Sequence, residues 1–565
     1  MSNNLRSAIL NKVMKSLHSV NNEHRHKISS ALYVNLNQTN DTYYFAFPLK
    51  SIYYNAMDDI QNITRNDFEN TIDHITVENN IAYFAIPRNQ YIKTIIENNL
   101  SGPSPPVIPE NNKNIIVEFS SPNIAKPFHL GHLRSTITGN YIANVNNFLQ
   151  NRVKRLNYLG DWGTQFGFIQ LGIELGNIDS NEIHANPIKS LYKAYVLAHE
   201  LAETDPTMND RAKEIFRKLE FGNSTTYKEW QTFKDYTVQE LEKTYKRLGI
   251  SFDEYHWESM YTASNTKKII SLMEEMKLLM LDKENRKVIS VTADRNIPLI
   301  KSDGSTLYIT RDIAAAIDRF EKNNFDAMYY VVDNAQTDHF LNLMQILNQM
   351  KLPWANRLKH IKFGRVRGMS TRKGTAVFLE DILNEAQEIM RERQMIKTTT
   401  KVSLDEMDKV SDILGISGIL VYNLMQRRMK DYEYNWNLMF QMKGDSGIKL
   451  QYVHCRLTSL ERYSGATLTT ECDPSLLKEP EVDDLIILIS RFDEVILQSY
   501  EQFEPCVLVV YLMQLSNTIN KALKKLRMKG EPSDVANQRL LLFHTSRLIL
   551  AEGMKLLGLT PLEKM

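Results

Sequence analysis

The sequence predicts a three-part chain: a small α+β unit, a parallel-sheet α/β domain with helical insertions, and an all-α bundle at the C-terminal end. Three observations carry this. The stretch SGPSPPVIPENN, Ser101 to Asn112, has four prolines and a glycine and can continue neither a helix nor a central strand, so it marks a linker. Directly after it, an apolar strand (Asn114 to Ser121), a helical repeat (Leu133, Ile137, Tyr141, Val145, Phe148) and a second strand (VKRLNYL) form a βαβ unit, which implies a parallel sheet. Beyond about residue 395 strand patterns largely vanish and amphipathic helical ones dominate.

Taken in order, residues 1–100 open with an amphipathic segment. Leu5, Ile9, Leu10, Val13, Met14 and Leu17 share one helical face, Arg6, Lys12 and Lys15 add charge, and no acid precedes Glu23. A basic, serine-bearing, acid-poor helix suits a mitochondrial transit peptide, and it equally suits the first helix of a folded domain. The runs ALYVNL, TYYFAFP and NIAYFAIP read as strands. Residues 101–395 form the sheet domain, in which ligands are expected at the carboxyl ends of the strands. From about 180 to 290 the chain reads as mostly helical and richly charged, an insertion within that domain. The α/β pattern resumes with STLYITRDIAAAIDRF, DAMYYVVDNAQTDHF and LKHIKFGRVRGMSTRKGTAVFLEDIL. Residues 396–565 read as the helical bundle, with Gly558 as a helix stop.

Composition excludes several classes. Hydrophobic residues make up 43% and charged residues 24%, an ordinary globular balance, and the net charge of +1 does not by itself announce a nucleic-acid partner. Cys455, Cys472 and Cys506 are too few and too scattered for a disulfide framework or a zinc site. The longest apolar runs, DLIILIS and VLVVYLM, fall far short of the ~20 residues that span a bilayer. No Walker A, G-x-G-x-x-G or G-x-S-x-G sequence is present.

The residues that can carry chemistry cluster at the strand-to-helix junctions. His129-Leu-Gly131-His132 sits where a helix N-terminus offers unpaired N–H groups, and imidazoles there can donate to phosphate oxygens in a transition state. Gly131 permits close approach of a base, and Lys126 adds a cation just ahead. The loop GRVRGMSTRKGTAVF carries Arg365, Arg367, Arg372 and Lys373 between glycines, as a mobile cationic cover over polyphosphate would, or as a solvated basic hairpin would. Glu118 lies in an apolar strand and needs a partner, either a substrate cation or a structural arginine. Asp312 opens a helix, where it can face a ligand or simply complement the dipole.

HxGH after a first strand, with MSTRKG downstream, resembles the class I aminoacyl-tRNA synthetases. VEFSSPNIAKPFHLGHLRSTITGN, NYLGDWGTQFG, SDGSTLYITRDIAAAIDR, GDSGIKLQYVHCRLTSL and EGMKLLGLTPLEKM are more specific, and resemble the arginyl-tRNA synthetases, with wording nearest the mitochondrial branch. The resemblance implies a Rossmann-like catalytic domain and a helical anticodon-binding domain. It also implies an ATP-dependent arginine–tRNA ligase that acts through arginyl-adenylate and esterifies the 2′-hydroxyl of the terminal adenosine. ATP with Mg2+ would enter as a substrate complex, with no tightly bound metal; the partners would be arginine, ATP and arginine tRNA, with no membrane. A monomer is expected, in the mitochondrial matrix or alternatively the cytoplasm. By the same resemblance His129, Gly131, His132, Met369, Ser370, Arg372 and Lys373 bind ATP, with His129, His132 and Lys126 catalytic. Glu118, Asn123, Tyr308, Asp312 and Gln336 match positions lining the arginine pocket; Tyr452, Arg456 and Met565 match the tRNA contact, and the N-terminal unit would meet the tRNA elbow. In one place the sequence departs from the family. Gly368 stands where the loop signature often has lysine, which leaves Lys126, Arg372 and Lys373 as candidate cations for the leaving pyrophosphate. For Tyr452, packing in the bundle core is the alternative to stacking on a base.

Overall fold

The computed structural model describes residues 6, 9, 10, 13, 32–37, 41–48, 72–106, 108, 112–124, 128, 130–220, 223–261, 263–292, 295–302, 304, 306–367, 378–396, 402–441 and 444–565. At the N-terminal end, β1 (Tyr33–Asn37), β2 (Thr42–Pro48), β3 (His74–Glu78) and β4 (Ile81–Pro87) form an antiparallel sheet in the order β1-β2-β4-β3, closed by α1 (Arg88–Asn98). Tyr43, Phe45, Phe47, Phe84 and Tyr91 fill its core. Arg6, Ile9, Leu10 and Val13 of the basic amphipathic segment are helical and buried, as in a domain's first helix.

The central sheet holds β5 (Asn114–Glu118), β6 (Arg152–Leu159), β7 (Glu254–Trp257), β11 (Ala327–Asp333) and β12 (Leu358–Phe363), all parallel, in the order β12-β11-β5-β6-β7. Strand order reverses between β5 and β11, which opens a crevice beyond their carboxyl ends. Successive residues of β5 feed opposite cores: Ile115 and Val117 pack with α2 (Leu130–Phe148), while Ile116 packs with α9 (Tyr308–Asn323) and α10 (Thr337–Gln349). Burial on both faces is why the strand reads as a continuous apolar run. β5 ends at Glu118, three residues before the predicted end, because Ser120 and Ser121 turn into the left-handed region at φ +76° and +47°.

The insertion contains α3 (Thr164–Gly176), α4 (Ser180–Ala185), α5 (Pro187–Thr204), α6 (Thr207–Glu220) and α7 (Ser224–Arg247). The stretch expected to be helical up to about 290 also holds α8 (Ala263–Glu275), the edge strand β7 and most of a small antiparallel sheet, β8 (Leu279–Leu281), β9 (Lys287–Thr292) and β10 (Arg295–Ile300). These strands are short and charged, so they lack a readable alternation. The bundle comprises α11 (Leu379–Ile396), α12 (Leu404–Leu424), α13 (Gly447–Tyr463), α14 (Pro480–Ser490), α15 (Phe492–Gln502), α16 (Pro505–Lys525) and α17 (Ser533–Leu556). The N-terminal unit docks on it through buried polar contacts: Arg88 donates to Asp483 at 2.8 Å, Tyr43 to Asp483 at 2.6 Å, and Arg6 to Glu494 at 3.1 Å. Among the described residues no helix is long and apolar enough to cross a membrane.

Candidate active site

The crevice is a cleft of about 420 Å3 lined by Asn123, Gly160, Asp161, Trp162, Gln165, Glu258, Tyr308, Asp312, Gln336 and His339, among others. Each of these groups sits just past a strand end or within the first two turns of a helix. Asn123 follows β5, Gly160 and Asp161 follow β6, Glu258 follows β7, and Gln336 follows β11. Tyr308 and Asp312 are one turn apart at the start of α9, and His339 lies in the first turn of α10.

The turn that presents Asn123 is strained and tied down. Non-glycine residues at positive φ cost about 1–3 kcal/mol each and persist only where surroundings hold them. The Ser120 amide donates to Ser135 Oγ at 2.9 Å, the Ser121 amide to Asn157 Oδ1 at 3.0 Å, and the Ser120 and Tyr245 hydroxyls meet at 2.6 Å. The main chain then pairs with β6's extension: the Ile124 amide donates to the Gly160 carbonyl at 2.9 Å, and the Gly160 amide to the Pro122 carbonyl at 3.2 Å. A Cβ on Gly160 would lie 1.9 Å from Asn123 Oδ1, so only glycine lets that side chain stand where it does.

Two acids face the cleft. Asp312 Oδ2 is 2.7 Å from His339 Nε2, each side chain about one-quarter exposed. Glu258 has Arg311 at 4.0 Å, and the Arg311 guanidinium lies over the Tyr308 ring at 4.9 Å. Burial pushes the Glu258 carboxyl up to about 7; Arg311 opposes this, and Asp312 and Asp161 reinforce it. Burial works against a charged His339, but the hydrogen bond and charge of Asp312 outweigh it and raise the imidazole above its ordinary value. Glu258 is the least compensated of these acids, with its one arginine at 4.0 Å, so a further cation in the cleft would favour its ionised form.

Behind the cleft, Asp161 is fully shielded and takes Lys234 Nζ at 3.0 Å, the Ser259 amide at 3.0 Å and the Ser259 hydroxyl at 2.6 Å. Lys234 reaches it from α7 between the rings of Trp230 and Trp257, at 4.0 and 4.1 Å from their centroids. Helix α7 of the insertion therefore fixes the turn that carries Glu258.

The structure gathers Asn123, Tyr308, Asp312 and Gln336 around this one cleft. Glu118 is placed differently. It is buried beneath the cleft with Arg319 Nη1 at 2.5 Å, so of the two partners its sequence left open the structure supplies the structural arginine. Burial disfavours the Arg319 charge, but the adjacent carboxylate more than restores it, and the guanidinium stays protonated above its ordinary pKa. Gly131 and His132 open α2, and the His132 ring stacks flat on Phe128 with centroids 5.5 Å apart. Lys126, His129, Met369, Ser370, Arg372 and Lys373 lie outside the described residues. The chain entering their loop is anchored: Arg134 of α2 donates to the carbonyls of Gly364, Arg427, Arg428 and Lys430 at 2.5–3.1 Å.

At the other end, Tyr452 on α13 is exposed, with the Arg456 guanidinium 5.6 Å from its ring. The C-terminal tail runs along α13, where Gln451 donates to the Thr560 carbonyl at 2.8 Å and His454 pairs with the Leu562 carbonyl at 2.7 Å. Met565 packs partly buried at its end. Sequence reasoning missed Glu258, His339 and the Lys234–Asp161 pair. Only the glycine-rich GDWG turn hinted at the last of these. Among the described residues no three His, Cys, Asp or Glu side chains are grouped to hold a metal ion.

Comparison with known proteins places this geometry in context. Residues 96–436 match the model of the catalytic domain of class I tRNA synthetases (R), and residues 450–565 match the DALR anticodon binding domain. A probable mitochondrial arginine–tRNA ligase of Homo sapiens is 41% identical over 458 residues, covering 80% of this chain and 78% of the relative. A probable cytoplasmic arginine–tRNA ligase of Dictyostelium discoideum is also 41% identical, over 480 residues, covering 80% and 81%. The crystal structure of arginyl-tRNA synthetase from Plasmodium falciparum superposes with a TM-score of 0.77 at 25% identity, covering 99% of this chain and 98% of that one. The arginyl-tRNA synthetase of Thermus thermophilus shares the fold at a TM-score of 0.79 and 20% identity, covering 99% and 100%.

Proposed function

This chain belongs to the arginyl-tRNA synthetase family, and from that premise we propose that its cleft holds arginine, with the guanidinium between Glu258 and Asp312. The protein is an ATP-dependent arginine–tRNA ligase. The observation that carries the assignment of the cleft is that two acids, Glu258 and Asp312, line it together with Asn123, and that Glu258 is only weakly compensated by Arg311 at 4.0 Å. A planar fork of five donors satisfies two carboxylates at once, and Tyr308 offers a ring face to it. Lysine presents a point charge and leaves acceptors unpaired, at about 1–3 kcal/mol each. Gln336 and Asn123, which line the same cleft, are assigned to the amino and carboxylate end.

MgATP binds across His129, Gly131 and His132, the last two of which open α2, where helix N–H groups and imidazoles meet the phosphates. An arginine carboxylate oxygen attacks the α-phosphorus, a new P–O bond forms, and the bond to pyrophosphate breaks. His129 and His132 stabilise the pentavalent phosphate, and the loop with Met369, Ser370, Arg372 and Lys373 covers the leaving group. Lys126, Arg372 or Lys373 meets the pyrophosphate in place of the absent leading lysine. The 2′-hydroxyl of the terminal adenosine then attacks the arginyl carbonyl and AMP leaves. Tyr452, Arg456 and Met565 meet the anticodon loop, and the N-terminal unit meets the tRNA elbow, with the enzyme acting as a monomer in the mitochondrial matrix.

The test is ATP–pyrophosphate exchange with a panel of amino acids, with and without arginine tRNA. Exchange supported by arginine and not by lysine is the expected result. Exchange supported by another amino acid, or unaffected by Asp312→Ala, overturns the assignment of the cleft. Fractionation of cells that express the tagged chain reads the compartment, and exclusion from mitochondria overturns the matrix assignment.

A further inference from the structure

We infer that His339 is the resident counter-charge of Asp312 in the empty cleft, and that the incoming guanidinium replaces it, so that arginine binding releases a proton from this imidazole. The inference rests on arginine occupying the cleft as proposed above. Three observations carry it.

The first is geometry. His339 Nε2 contacts Asp312 Oδ2 at 2.7 Å, and both residues line the cleft from adjacent helices, α10 and α9. The pair is neither sealed in the core nor fully solvated, since each side chain is about one-quarter exposed. The second is the balance of charge. Asp312 is one of two acids assigned to the guanidinium, and Arg311, its neighbour in sequence, reaches toward Glu258. With arginine absent, a protonated imidazole is the cation that faces Asp312. With arginine present, two cations would share one carboxylate, and the imidazole is the one that can discharge. The third is that hydrogen bonding to Asp312 favours the charged imidazole against its partial burial.

The surroundings fix how this titration reads. Asp312 of α9 faces His339 directly and His360 of β12 feels its charge; Glu258 after β7 lines the same cleft with Arg311 at 4.0 Å, and Asp338, next to His339 on α10, pairs with Arg295 of β10 at 3.8 Å. His360 is held down at about 4 by burial and stays neutral near pH 7. Glu258, pushed up to about 7, also binds arginine best when it has lost its proton. Both groups therefore weaken arginine binding as pH falls, each by up to about tenfold per pH unit below its own pKa. A variant at each position separates them.

The consequence is specific. His339 is a positioning residue whose removal changes the pH dependence of arginine affinity, not merely its size. His339→Asn keeps a donor for Asp312 and has no proton to release. Its arginine Kd is weaker than the wild-type value at high pH, where Asp312 is less well held. The ratio of wild-type Kd to variant Kd then climbs, by up to about tenfold per pH unit, as pH falls through the wild-type limb.

The experiment is isothermal titration of the full chain with arginine from pH 6 to 8. Buffers of different ionisation enthalpy count the protons, and the proteins are wild type, His339→Asn, His339→Gln and Glu258→Gln. The expected result is proton release that persists in Glu258→Gln and is smaller than the wild-type value in at least one folded His339 variant, where only the share of Glu258 remains, with that variant's log Kd–pH slope shallower by up to one unit. A Kd shifted by one constant factor at every pH, with the proton count unchanged, overturns the inference and leaves His339 a structural residue. Asp312→Asn binding arginine as wild type does would instead overturn the assignment of the cleft, so the two failures are distinct.

Discussion

Glu118 and Arg319 offer the sharpest test of how this site is built. Their side chains are 5% and 1% exposed, and the contact is 2.5 Å. Arg319 also lies under the Tyr158 ring at 4.8 Å. Arg319→Met removes the cation and leaves a carboxylate in the core. Breaking a buried pair from one side costs about 3–5 kcal/mol, because the remaining charge loses both water and partner. At roughly 2–4 °C per kcal/mol for a domain of this size, the catalytic domain should melt about 6–20 °C lower. Glu118→Gln should cost a comparable amount. The double variant Glu118→Gln/Arg319→Met should recover most of the loss, since a neutral pair of similar volume replaces an ion pair nearly without penalty. Scanning calorimetry of the four proteins gives the stability cycle, and arginine KM in pyrophosphate exchange gives the functional one. A structural pair predicts a large coupling in melting temperature and an arginine KM in the double variant within a few-fold of wild type. If Glu118→Gln melts like wild type and raises arginine KM more than tenfold, Glu118 touches the substrate and the reasoning fails.

Further outcomes follow from the same geometry. Gly160→Ala places a Cβ 1.9 Å from Asn123 Oδ1 and must displace that side chain, so arginine KM should rise about ten- to hundredfold, equivalent to 1.4–2.8 kcal/mol, while ATP KM moves little; this is read by exchange kinetics with each substrate varied. Lys234→Met strands the Asp161 carboxylate behind the cleft at a cost of about 3–5 kcal/mol, and Asp161→Asn added to it should restore the melting temperature but not the arginine KM. Glu258→Gln should separate stability from function. The folded carboxyl titrates at about 7 and the unfolded one at 4.5, so the empty enzyme loses stability as pH rises through that window, by roughly 3 kcal/mol at most. Removing the charge should flatten this loss in a pH series of melting curves and also raise the arginine KM, without abolishing binding. Tyr245→Phe deletes a hydroxyl that meets Ser120 at 2.6 Å and Asn157 at 3.0 Å, and should cost about 1–3 kcal/mol in urea unfolding.

What the sequence made legible, and what it did not, divides by the range of the signal. β5 and α2 were readable because burial on both faces writes an unbroken apolar run, and a 3.6-residue repeat follows it. Tyr308 and Asp312 came from the family resemblance, with a spacing of four across an expected strand-to-helix turn; the structure instead starts α9 at Tyr308, which puts both on one helical face. The family resemblance supplied Asn123 and Gln336, which no periodicity marks. Glu258 follows a four-residue edge strand, too short to show alternation, so nothing nearby distinguished it from any surface acid. Lys234 sits on a long charged helix where a lysine ordinarily faces water. Its burial depends on Trp230 one turn earlier and on Trp257, which comes from a different strand. His339 acquires its role only from Asp312, which lies on another helix. Partners far apart in sequence leave no local pattern, and these are the residues that balance charge in the cleft.

That division bears on why the site is assembled as it is. A cleft for a cation must keep acids partly dry before the cation arrives, and each such acid destabilises the empty fold. The chain meets this in three different ways. Asp161 is neutralised permanently by Lys234 and serves as scaffold. Glu258 is left under-compensated, with its carboxyl raised to about 7, so its ionised form is stabilised most when a guanidinium binds. Asp312 is held by His339, a partner whose charge can be given up. Only the second and third can convert the binding of arginine into extra stability and a released proton, whereas a cleft of permanently paired acids would gain little from it. Ligand-induced stabilisation should therefore grow as pH rises from 6 to 8, and it should shrink when Glu258→Gln and His339→Asn are combined. If the double variant is stabilised by arginine as strongly as wild type at every pH, the acids in the cleft are not what recognises the guanidinium.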